Sequence, residues 1–249
     1  MKVSVLLTTY NRLALLSRAV ESVLIQEGVD KELVIVDDAS TDGTREYLVK
    51  LQKQYPNLIK LVLKDQNTGL ANSRNLGVKS ATGDYIAFLD DDDYWLSSYR
   101  LERMLPLCAD NRIACASVLA GNKPLTPCLP KRWRRTLLYR NGFIHTSTVI
   151  IKKSLIQKIG GFDERLTKGI DSDLYRRLVF DLDVDLQLYR KQEVYYETKS
   201  PNRITESNVG WRRLARAREA FYLNRKYLSY FRKEPLSYLR RIYISVRSI

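Results

Sequence analysis

The first 95 residues alternate short apolar runs with segments of helical periodicity, and this alternation limits the chain to few folds. Predicted strands cover residues 3–8, 32–36, 59–63 and 85–89, and a predicted helix follows each of the first three. Repeated strand–helix–strand units build a parallel sheet with right-handed crossovers and helices on its faces. The sequence therefore predicts an α/β fold for this part of the chain.

Four consecutive aspartates follow the fourth predicted strand. In an open α/β sheet, ligands bind beyond the carboxyl ends of the strands, where Asp90–Asp93 are expected to lie. Neighbouring carboxylates repel one another, and a hard cation such as Mg²⁺ or Mn²⁺ relieves that repulsion. We interpret the four residues as a metal–diphosphate site, and residues 1–95 as the nucleotide-binding half of an enzyme. The alternative is a solvated acidic turn that caps a helix beginning near Ser97.

Other functional classes agree less well with the sequence. Glycine-rich motifs of the dinucleotide-binding or P-loop type do not occur, which argues against an ordinary dehydrogenase or NTPase. The three cysteines are too irregularly spaced for a disulfide framework or a zinc site, and an odd number suits a reducing compartment. The sequence shows neither a signal peptide nor an apolar run of about 20 residues, so we expect a cytoplasmic protein.

Residues 96–210 form the second, acceptor half of the predicted domain, and their pattern is less regular. Helices are predicted over residues 98–109, 154–160 (capped by Ser154) and 171–180. Strands are predicted over residues 113–119 and 146–151, with one or two more after Asp183. Residues 121–141 are predicted to form a loop with one short helix, and residues 199–207 a polar loop.

Positive charge is concentrated in residues 211–249. The formal net charge of the chain is +14, and this segment holds eleven Lys and Arg residues against two acidic ones. Its apolar residues recur at helical spacing on one face, with an interruption at Pro235. Basic amphipathic helices with aromatic residues are typical of membrane-surface segments, so we predict a basic helical tail that contacts an anionic membrane surface. The alternative is that the apolar face packs on the rest of the protein.

Four stretches, in this order along the chain, resemble the inverting glycosyltransferases of family 2. They are VSVLLTTYNR at 3–12, LVIVDDASTDGT at 33–44, NTGLANSRNLGVKSATGDYIAFLDDDD at 67–93 and GGFDERLTKGIDSDLYRRL at 160–178. The resemblance covers residues 3 to about 180. It implies a GT-A type, Rossmann-like, mixed but mostly parallel sheet flanked by helices over residues 1–210, followed by the basic tail.

The resemblance also implies roles for the matching residues. Asp92 would hold Mn²⁺ or Mg²⁺ on the donor diphosphate with help from Asp90, and Asp91 would face the ribose. The repeated aspartates leave the register of this assignment open by one residue, with Asp93 as a neighbour. The residues implied in binding the nucleotide-sugar donor are Thr8, Tyr10, Arg12, Asp38, Gly69, Arg74, Asp90 and Asp91.

Three of these donor assignments have alternatives. Tyr10 would lie against the nucleobase, or it is a packing aromatic. Asp38 would accept the ring N–H of uracil, which favours a UDP-sugar, or it caps the turn into Ser40. Arg12 and Arg74 would neutralise diphosphate charge, although Arg74 without the family resemblance could be an ordinary surface residue.

Asp171 is the catalytic base that the resemblance implies, because an acceptor hydroxyl must lose its proton as it attacks the anomeric carbon. The family usually has Glu-Asp here, and this chain has Ile170-Asp171, which puts the acceptor contacts of the missing carboxylate in doubt. The alternative for Asp171 is a helix N-cap. Asp173 is a fallback base or a helix N-terminal charge.

Further acceptor-side candidates are His145, Trp133 and Asp173. His145 is the only histidine and precedes a predicted strand, and a structural role is its alternative. Trp133 lies in the predicted loop. The Gln-X-X-Arg-Trp motif of processive polysaccharide synthases does not occur, which favours transfer of a single sugar.

We therefore predict an inverting, metal-assisted hexosyl- or N-acetylhexosaminyl-transferase that uses a nucleotide-sugar. Its acceptor would be a hydroxyl of a lipid-linked, lipopolysaccharide or polysaccharide glycan at the inner face of the cell membrane. A non-catalytic sugar-nucleotide-binding protein is one alternative, suggested by Ile170. A nucleic-acid-binding protein is another, suggested by the charge, but the basic residues are concentrated in the tail while the predicted cleft is acidic.

Overall fold

The computed structural model describes residues 1–109, 111–120, 123–125, 133–140, 142, 144–198, 211–231, 236–237 and 239–241. The strands are β1 Lys2–Thr9, β2 Asp30–Asp37, β3 Ile59–Leu63, β4 Tyr85–Asp90, β5 Tyr94–Trp95, β6 Arg112–Ala120, β7 Lys123–Leu125, β8 Ile150–Lys152 and β9 Asp185–Tyr196. The helices are α1 Leu13–Leu24, α2 Thr44–Gln54, α3 Leu70–Ser80, α4 Arg100–Met104, α5 Trp133–Tyr139, α6 Lys153–Lys158, α7 Ile170–Asp181, α8 Trp211–Lys226 and α9 Leu228–Phe231.

The described strands form one mixed sheet in the order β3-β2-β1-β4-β8-β6-β9-β5, and β7 pairs with β6. The first four strands of this order are parallel, as the alternation predicted. Thr8 of β1 lies beside Asp90 of β4, and Thr9 lies beside Asp37 of β2. The carboxyl ends of three strands therefore meet at one edge, and the residues that follow them can share one site.

Helices cover both faces of the sheet. Leu6 of β1 points to the face covered by α3 and α7, whereas Val5 and Leu7 point to the face covered by α1. Helix α3 approaches the sheet closely at Gly77, where an added Cβ would lie 2.0 Å from Leu6 Cδ1. This close contact holds the first turns of α3, including Arg74, against the site edge of the sheet.

At the other end of these parallel strands, near their amino ends, the buried carboxylate of Glu32 links neighbouring segments. It accepts hydrogen bonds from Ser4 Oγ at 2.5 Å and from the Thr82 backbone N–H at 2.5 Å, and it pairs with Lys2 Nζ at 3.2 Å. Burial opposes ionisation, but the hydrogen bonds from Ser4 and Thr82 outweigh it and lower the pKa of Glu32 to about 2. Glu32 thus joins β1, β2 and the turn before β4.

The structure corrects four predictions in the second half. Residues 123–125, in the predicted loop, form β7 instead and pair with β6. The helix predicted over 98–109 is only α4 followed by a 3₁₀ turn, Leu105–Cys108. The strand predicted over 146–151 begins instead with a 3₁₀ turn, because Thr148 Oγ1 bonds to the His145 carbonyl and such local bonds compete with sheet pairing. Helix α6 begins at Lys153, so Ser154 is inside the helix and does not cap it.

Helices α8 and α9 pack on the domain. Leu223, Tyr227 and Phe231 are buried in the same core as Leu174 and Leu178 of α7. The packing alternative is therefore correct for these turns of the tail. Within the described parts of the chain, no helix has both the length and the apolar character needed to cross a lipid bilayer.

Some predictions fall outside the described residues. They are the domain boundary at residue 210, the polar loop at 199–207, the interruption at Pro235, most of the loop at 121–132 and the end of the tail after residue 241. These stay predictions.

Candidate active site

A cleft of about 390 Å³ opens beyond the carboxyl ends of β1, β2 and β4. It is lined by residues from six segments of the chain: Thr8, Thr9, Tyr10, Arg12, Asp38, Asn67, Gly69, Leu70, Ser73, Arg74, Asp90, Asp91, Asp92, Asp171 and Tyr196. Every residue predicted to bind the donor or the metal, and the predicted base, is in this set. The cleft therefore brings together predicted site residues that are far apart in the sequence, since Thr8 and Asp171 are separated by 163 positions.

The loop after β1 presents Tyr10 at the mouth of the cleft, with 45% of its surface exposed. The next residue, Asn11, has a left-handed backbone with φ of 53°. Its backbone N–H donates to Ser40 Oγ at 2.9 Å, and its Oδ1 accepts from the Thr41 N–H at 2.7 Å. These bonds tie the loop to the end of β2 and fix the position of the exposed ring.

Asp38 anchors one wall of the cleft. Its carboxylate accepts from the backbone N–H groups of Thr68 at 3.0 Å and Gly69 at 2.9 Å, and it forms a buried ion pair with Lys64. The turn into Ser40 is instead held by Asp37, so the capping alternative for Asp38 is wrong. Asp38 orders the loop before α3 while its carboxylate still borders the cleft.

Two arginines neutralise the acidic edge. Arg12 Nη1 lies 3.1 Å from Asp91 Oδ1 and 2.7 Å from Asp92 Oδ2. Burial opposes the charge of Arg12, but Asp91 and Asp92 outweigh it and raise its pKa. Arg74 Nη2 lies 2.7 Å from Asp90 Oδ1, and its Nη1 forms an ion pair with Asp171.

The second and fourth of the four aspartates, Asp91 and Asp93, differ in environment from Asp90 and Asp92. Burial raises the pKa of Asp91 to about 7, against the opposing effect of Arg12. Asp93 is outside the cleft lining, where its carboxylate accepts from Ser147 Oγ and from the Glu197 N–H at 3.1 Å. Burial and the neighbouring Asp90 and Asp92 raise the pKa of Asp93 well above its usual range. Asp93 therefore ties the end of β4 to the second half of the sheet.

The donor set at Asp90 and Asp92 suits a hard divalent cation. Their side chains are 36% and 13% exposed and border the cleft. In the described ranges, no three His, Cys, Asp or Glu side chains form a complete cage. Mg²⁺ usually needs only one or two carboxylates when substrate phosphates supply further oxygens. Asp90 and Asp92 therefore fit a divalent cation that is bound together with a diphosphate.

Asp171 lies in the first turn of α7 with 28% of its side chain exposed. The N-cap of α7 is Gly169, so the N-cap alternative for Asp171 is wrong. Its partner Arg74 is almost fully buried, with 3% of its side chain exposed, so Arg74 is no ordinary surface residue. Burial opposes the charge of Arg74, but Asp171 and Asp90 outweigh it and raise its pKa. Ile170 is buried in the core.

Asp173 is not brought to the cleft. Its carboxylate is fully buried and contacts Arg177 Nε at 2.8 Å, Lys226 Nζ at 2.6 Å and the hydroxyl of Tyr227. Positions 171 and 173 are about 200° apart on a helix, so only one of them can face the cleft. The structure thus makes Asp173 the anchor of α8, and the predicted acceptor role is corrected.

Of the other two acceptor candidates, His145 contacts the lining residue Tyr196, and Trp133 is not part of the cleft lining. The His145 ring packs edge-on against Tyr196 with centroids 4.8 Å apart, and burial lowers its pKa against the opposing effect of Asp90. Trp133 begins α5 and is half-buried against the core, with the Arg134 guanidinium 5.3 Å from its ring.

Five lining residues were not predicted. Asn67, Leu70 and Ser73 are in a stretch that the family resemblance had already marked, and Thr9 adjoins a predicted residue. Tyr196 comes from the end of β9 and carried no sequence signal.

The comparisons agree with this geometry. Residues 4–160 match the family profile described as "Glycosyl transferase family 2". The chain is 31% identical over 162 residues to the Escherichia coli protein "UDP-Glc:alpha-D-GlcNAc-diphosphoundecaprenol beta-1,3-glucosyltransferase WfgD", covering 62% of this chain and 61% of WfgD. The chain spans between 18% and 61% of the length of the first curated relatives that it matches.

Two solved structures share the fold. TarS of S. aureus, in complex with UDP-GlcNAc, superposes with a TM-score of 0.66 at 20% identity, covering 89% of this chain and 66% of that one. The mannosyltransferase PcManGT from Pyrobaculum calidifontis, in complex with GDP-Man and Mn²⁺, superposes with a TM-score of 0.63 at 22% identity, covering 92% and 64%.

Proposed function

The chain belongs to glycosyl transferase family 2 and has the GT-A fold, and from this premise we propose that it is an inverting, metal-assisted enzyme that transfers a single sugar. The donor is a UDP-sugar, and the acceptor is a hydroxyl of a lipid-linked or polysaccharide glycan. The observation that carries the proposal is the arrangement of the cleft. Asp38, the aspartates after β4 and Asp171 border one cavity, with a residue for each part of the reaction.

The nucleotide end of the donor binds between the loop after β1 and the loop before α3. The exposed ring of Tyr10 stacks on the base, and the carboxylate of Asp38 accepts the ring N–H of uracil. Asp38 Oδ2 accepts one described hydrogen bond, from Gly69, and a carboxylate oxygen has capacity for a second. TarS is described with UDP-GlcNAc and PcManGT with GDP-Man, so the fold alone does not select the base, and Asp38 is our reason for uridine.

The diphosphate binds at the acidic edge. Asp92 and Asp90 would hold Mn²⁺ or Mg²⁺, which stabilises the negative charge of the leaving diphosphate when it is bound. Arg12 and Arg74 already lie among these carboxylates and can turn their guanidinium groups toward phosphate oxygens. Asp91, buried beside Arg12, is placed to contact the ribose.

Asp171 removes the proton from the acceptor hydroxyl. The acceptor oxygen attacks the anomeric carbon, the bond from that carbon to the diphosphate oxygen breaks, and the proton passes to the carboxylate of Asp171. Attack from the face opposite the nucleotide inverts the anomeric configuration. The ion pair with Arg74 orients the carboxylate of Asp171 before the reaction.

The acceptor proposal rests on the relatives. WfgD is named for transfer to a diphosphoundecaprenol-linked sugar, and a Campylobacter jejuni relative, 35% identical over 96 residues, is named for transfer to an undecaprenol-linked glycan. We therefore propose a hexosyl or N-acetylhexosaminyl transfer at the inner face of the cell membrane. The half-buried His145 and Tyr196 border the acceptor side of the cleft.

The substitution Asp171→Asn tests the mechanism. It keeps the shape of the side chain but removes the base, so we expect turnover to fall about 10²- to 10⁴-fold while the Kd for UDP changes less than about threefold. Asp181→Asn, the same change at an exposed position of the same helix, should leave turnover near normal. Turnover by Asp171→Asn within about twofold of wild type would remove the base assignment.

A donor screen separates the proposal from its alternative. UDP-, GDP- and dTDP-sugars are offered with and without Mn²⁺, and hydrolysis and transfer are measured. Hydrolysis of a UDP-sugar that depends on Mn²⁺ supports the enzyme. Tight UDP binding without hydrolysis or transfer of any sugar would favour a non-catalytic sugar-nucleotide-binding protein.

A further inference from the structure

Helix α8 has two chemically different faces. Leu223 and Tyr227 point inward and are buried in the core, as is Phe231 after the short break into α9. Arg218, Phe221, Arg225 and Leu228 are exposed, and their spacing of three, four and three residues places them on one helical face. The inner face explains why the helix packs on the domain, and the outer face has no such explanation.

The outer face is unusually apolar for an exposed surface. Phe221 is 70% exposed and Leu228 52% exposed, and farther along the chain Leu236 is 61% and Leu239 62% exposed. Four of the nine large apolar residues that are exposed in the described chain are thus within residues 221–239. Apolar residues that cluster on a surface mark an interaction site.

The charges on this face have one sign. Arg218 and Arg225 are exposed on the same helical face as Phe221. Glu219, the only acidic residue among residues 218–231 and 236–241, is turned inward, where it accepts from the Thr167 and Lys168 N–H groups at 2.6 and 3.1 Å. An apolar surface with interspersed arginines and no outward acid is complementary to an anionic lipid headgroup layer over acyl chains.

We propose that this outer face, formed by Arg218, Phe221, Arg225 and Leu228, docks the protein on an anionic membrane, and that the exposed Leu236 and Leu239 add to the same contact. The proposal deepens the proposed function, because it brings the cleft to the surface from which a lipid-linked acceptor is presented. The apolar side chains enter the interface between headgroups and acyl chains, and the arginines pair with anionic headgroups.

The inner face connects this docking surface to the catalytic segment. Besides the bonds from Glu219, the Tyr222 hydroxyl and Lys226 Nζ lie 2.7 and 2.8 Å from Asp163, at the start of the loop that leads to α7. Lys226 also pairs with Asp173, two residues after the proposed base. One helix therefore holds the base-bearing segment on one side and meets the lipid on the other, which fixes the distance of the cleft from the membrane.

Vesicle flotation of the full chain tests the docking surface. We expect wild type to float with phosphatidylcholine vesicles that contain 30% phosphatidylglycerol, and much less with phosphatidylcholine alone or at high salt. Phe221→Ser with Leu228→Ser should reduce flotation at least tenfold. The matched control, Ile25→Ser with Leu96→Ser, removes two exposed apolar residues elsewhere and should float as wild type.

Two further measurements make the result decisive. Hydrolysis of a water-soluble nucleotide-sugar should be equal in all variants, since none of the changed residues lines the cleft, so failure of docking and failure of the enzymatic proposal are distinguishable. The docking surface is overturned if wild type stays in the fraction that does not float with the vesicles. It is also overturned if Phe221→Ser/Leu228→Ser floats as wild type does. A dimer in sedimentation velocity that this double variant dissociates, without vesicle binding, also overturns it and makes the face a contact between copies.

Discussion

Arg74 on α3 forms a buried ion pair with Asp171 on α7, a residue 97 positions later in the chain. The same guanidinium also contacts Asp90 at the end of β4. One side chain therefore joins the proposed base to a proposed metal carboxylate. Because this guanidinium is almost fully buried beside two carboxylates, we expect Arg74 to contribute to stability as well as to the proposed reaction.

Arg74→Met should lower the free energy of unfolding by about 1–3 kcal/mol, because it leaves the partly exposed Asp90 and Asp171 without their shared cation. Arg18→Met removes a half-exposed ion pair with Glu197 and should cost less than about 1 kcal/mol. Urea denaturation measures both. Equal losses of unfolding free energy in Arg74→Met and Arg18→Met would contradict the conclusion that Arg74 is a stabilising partner of Asp90 and Asp171.

Arg74→Lys keeps the charge but lacks the planar fork that reaches two carboxylates, so we expect turnover to fall about tenfold or more. If Arg74 acts by positioning Asp171, the loss should largely disappear when Arg74→Lys is added to Asp171→Asn. Turnover of wild type, the two single variants and the double variant is compared in a double-mutant cycle. Fully additive losses would mean that Arg74 acts on the donor alone.

Lys64→Met should weaken UDP binding about tenfold, because the buried ion pair of Lys64 with Asp38 holds the loop that carries Thr68 and Gly69. Lys60, exposed on β3, which ends one residue before Lys64, bonds only to the Ser80 carbonyl among its described contacts, and Lys60→Met should leave the Kd unchanged. Calorimetric titration with UDP gives both values. A Kd for Lys64→Met equal to that of wild type would separate Lys64 from the nucleotide site.

Gly69→Ala should weaken nucleotide binding several-fold. Gly69 has φ of +91° and ψ of 165°, a conformation that costs an L-residue about 1–3 kcal/mol, and its N–H bonds to Asp38. Gly160 also has positive φ, +77°, and open space where a Cβ would lie, so Gly160→Ala should also cost stability but should not change the Kd for UDP. Thermal unfolding and titration together decide whether the effect is specific to the site.

Glu32→Gln should destabilise the fold by about 2 kcal/mol at pH 7. Because folding lowers the pKa of Glu32 from 4.5 to about 2, the ionised form contributes stability above pH 4.5 that is lost as the pH falls toward 2. The difference between wild type and Glu32→Gln, measured by urea denaturation, should therefore shrink over that range. Glu21→Gln, at an exposed position of α1, should show a small difference at every pH.

Asp92→Asn should weaken Mn²⁺ binding in the presence of UDP at least tenfold, because it removes a charged oxygen ligand from the acidic edge. Asp65→Asn changes a fully exposed carboxylate near the cleft and serves as the control. Electron paramagnetic resonance of free Mn²⁺ reports binding without turnover. An unchanged Mn²⁺ affinity in Asp92→Asn would shift the metal assignment to its neighbours.

Much of the site could be predicted because parallel strands end at one edge. The residues after β1, β2 and β4 had to meet there once the alternation was recognised, and Tyr10, Asp38 and Asp90 do. Asp171 could be placed only through the family resemblance, since a helix first turn also accepts acids for reasons of charge alone.

The remaining features depend on pairings between distant segments. Tyr196 reaches the cleft through β9, whose long pairing with β6 has no local sequence signal. The choice between Asp171 and Asp173 depended on how α7 is rotated, and that rotation is set by Lys226 and Tyr227 of the tail. Periodicity identifies an amphipathic helix, but it does not say which neighbour covers the helix.

The burial of Leu223, Tyr227 and Phe231 beside α7 has a consequence for biosynthesis. During translation, residues 1–95 leave the ribosome first and can form their parallel strands early. The segment that carries Asp171 can pack against Leu223, Tyr227 and Phe231 only when residue 231 has emerged from the exit tunnel. A nascent chain that stalls before that point therefore exposes the apolar surface of α7 to chaperones.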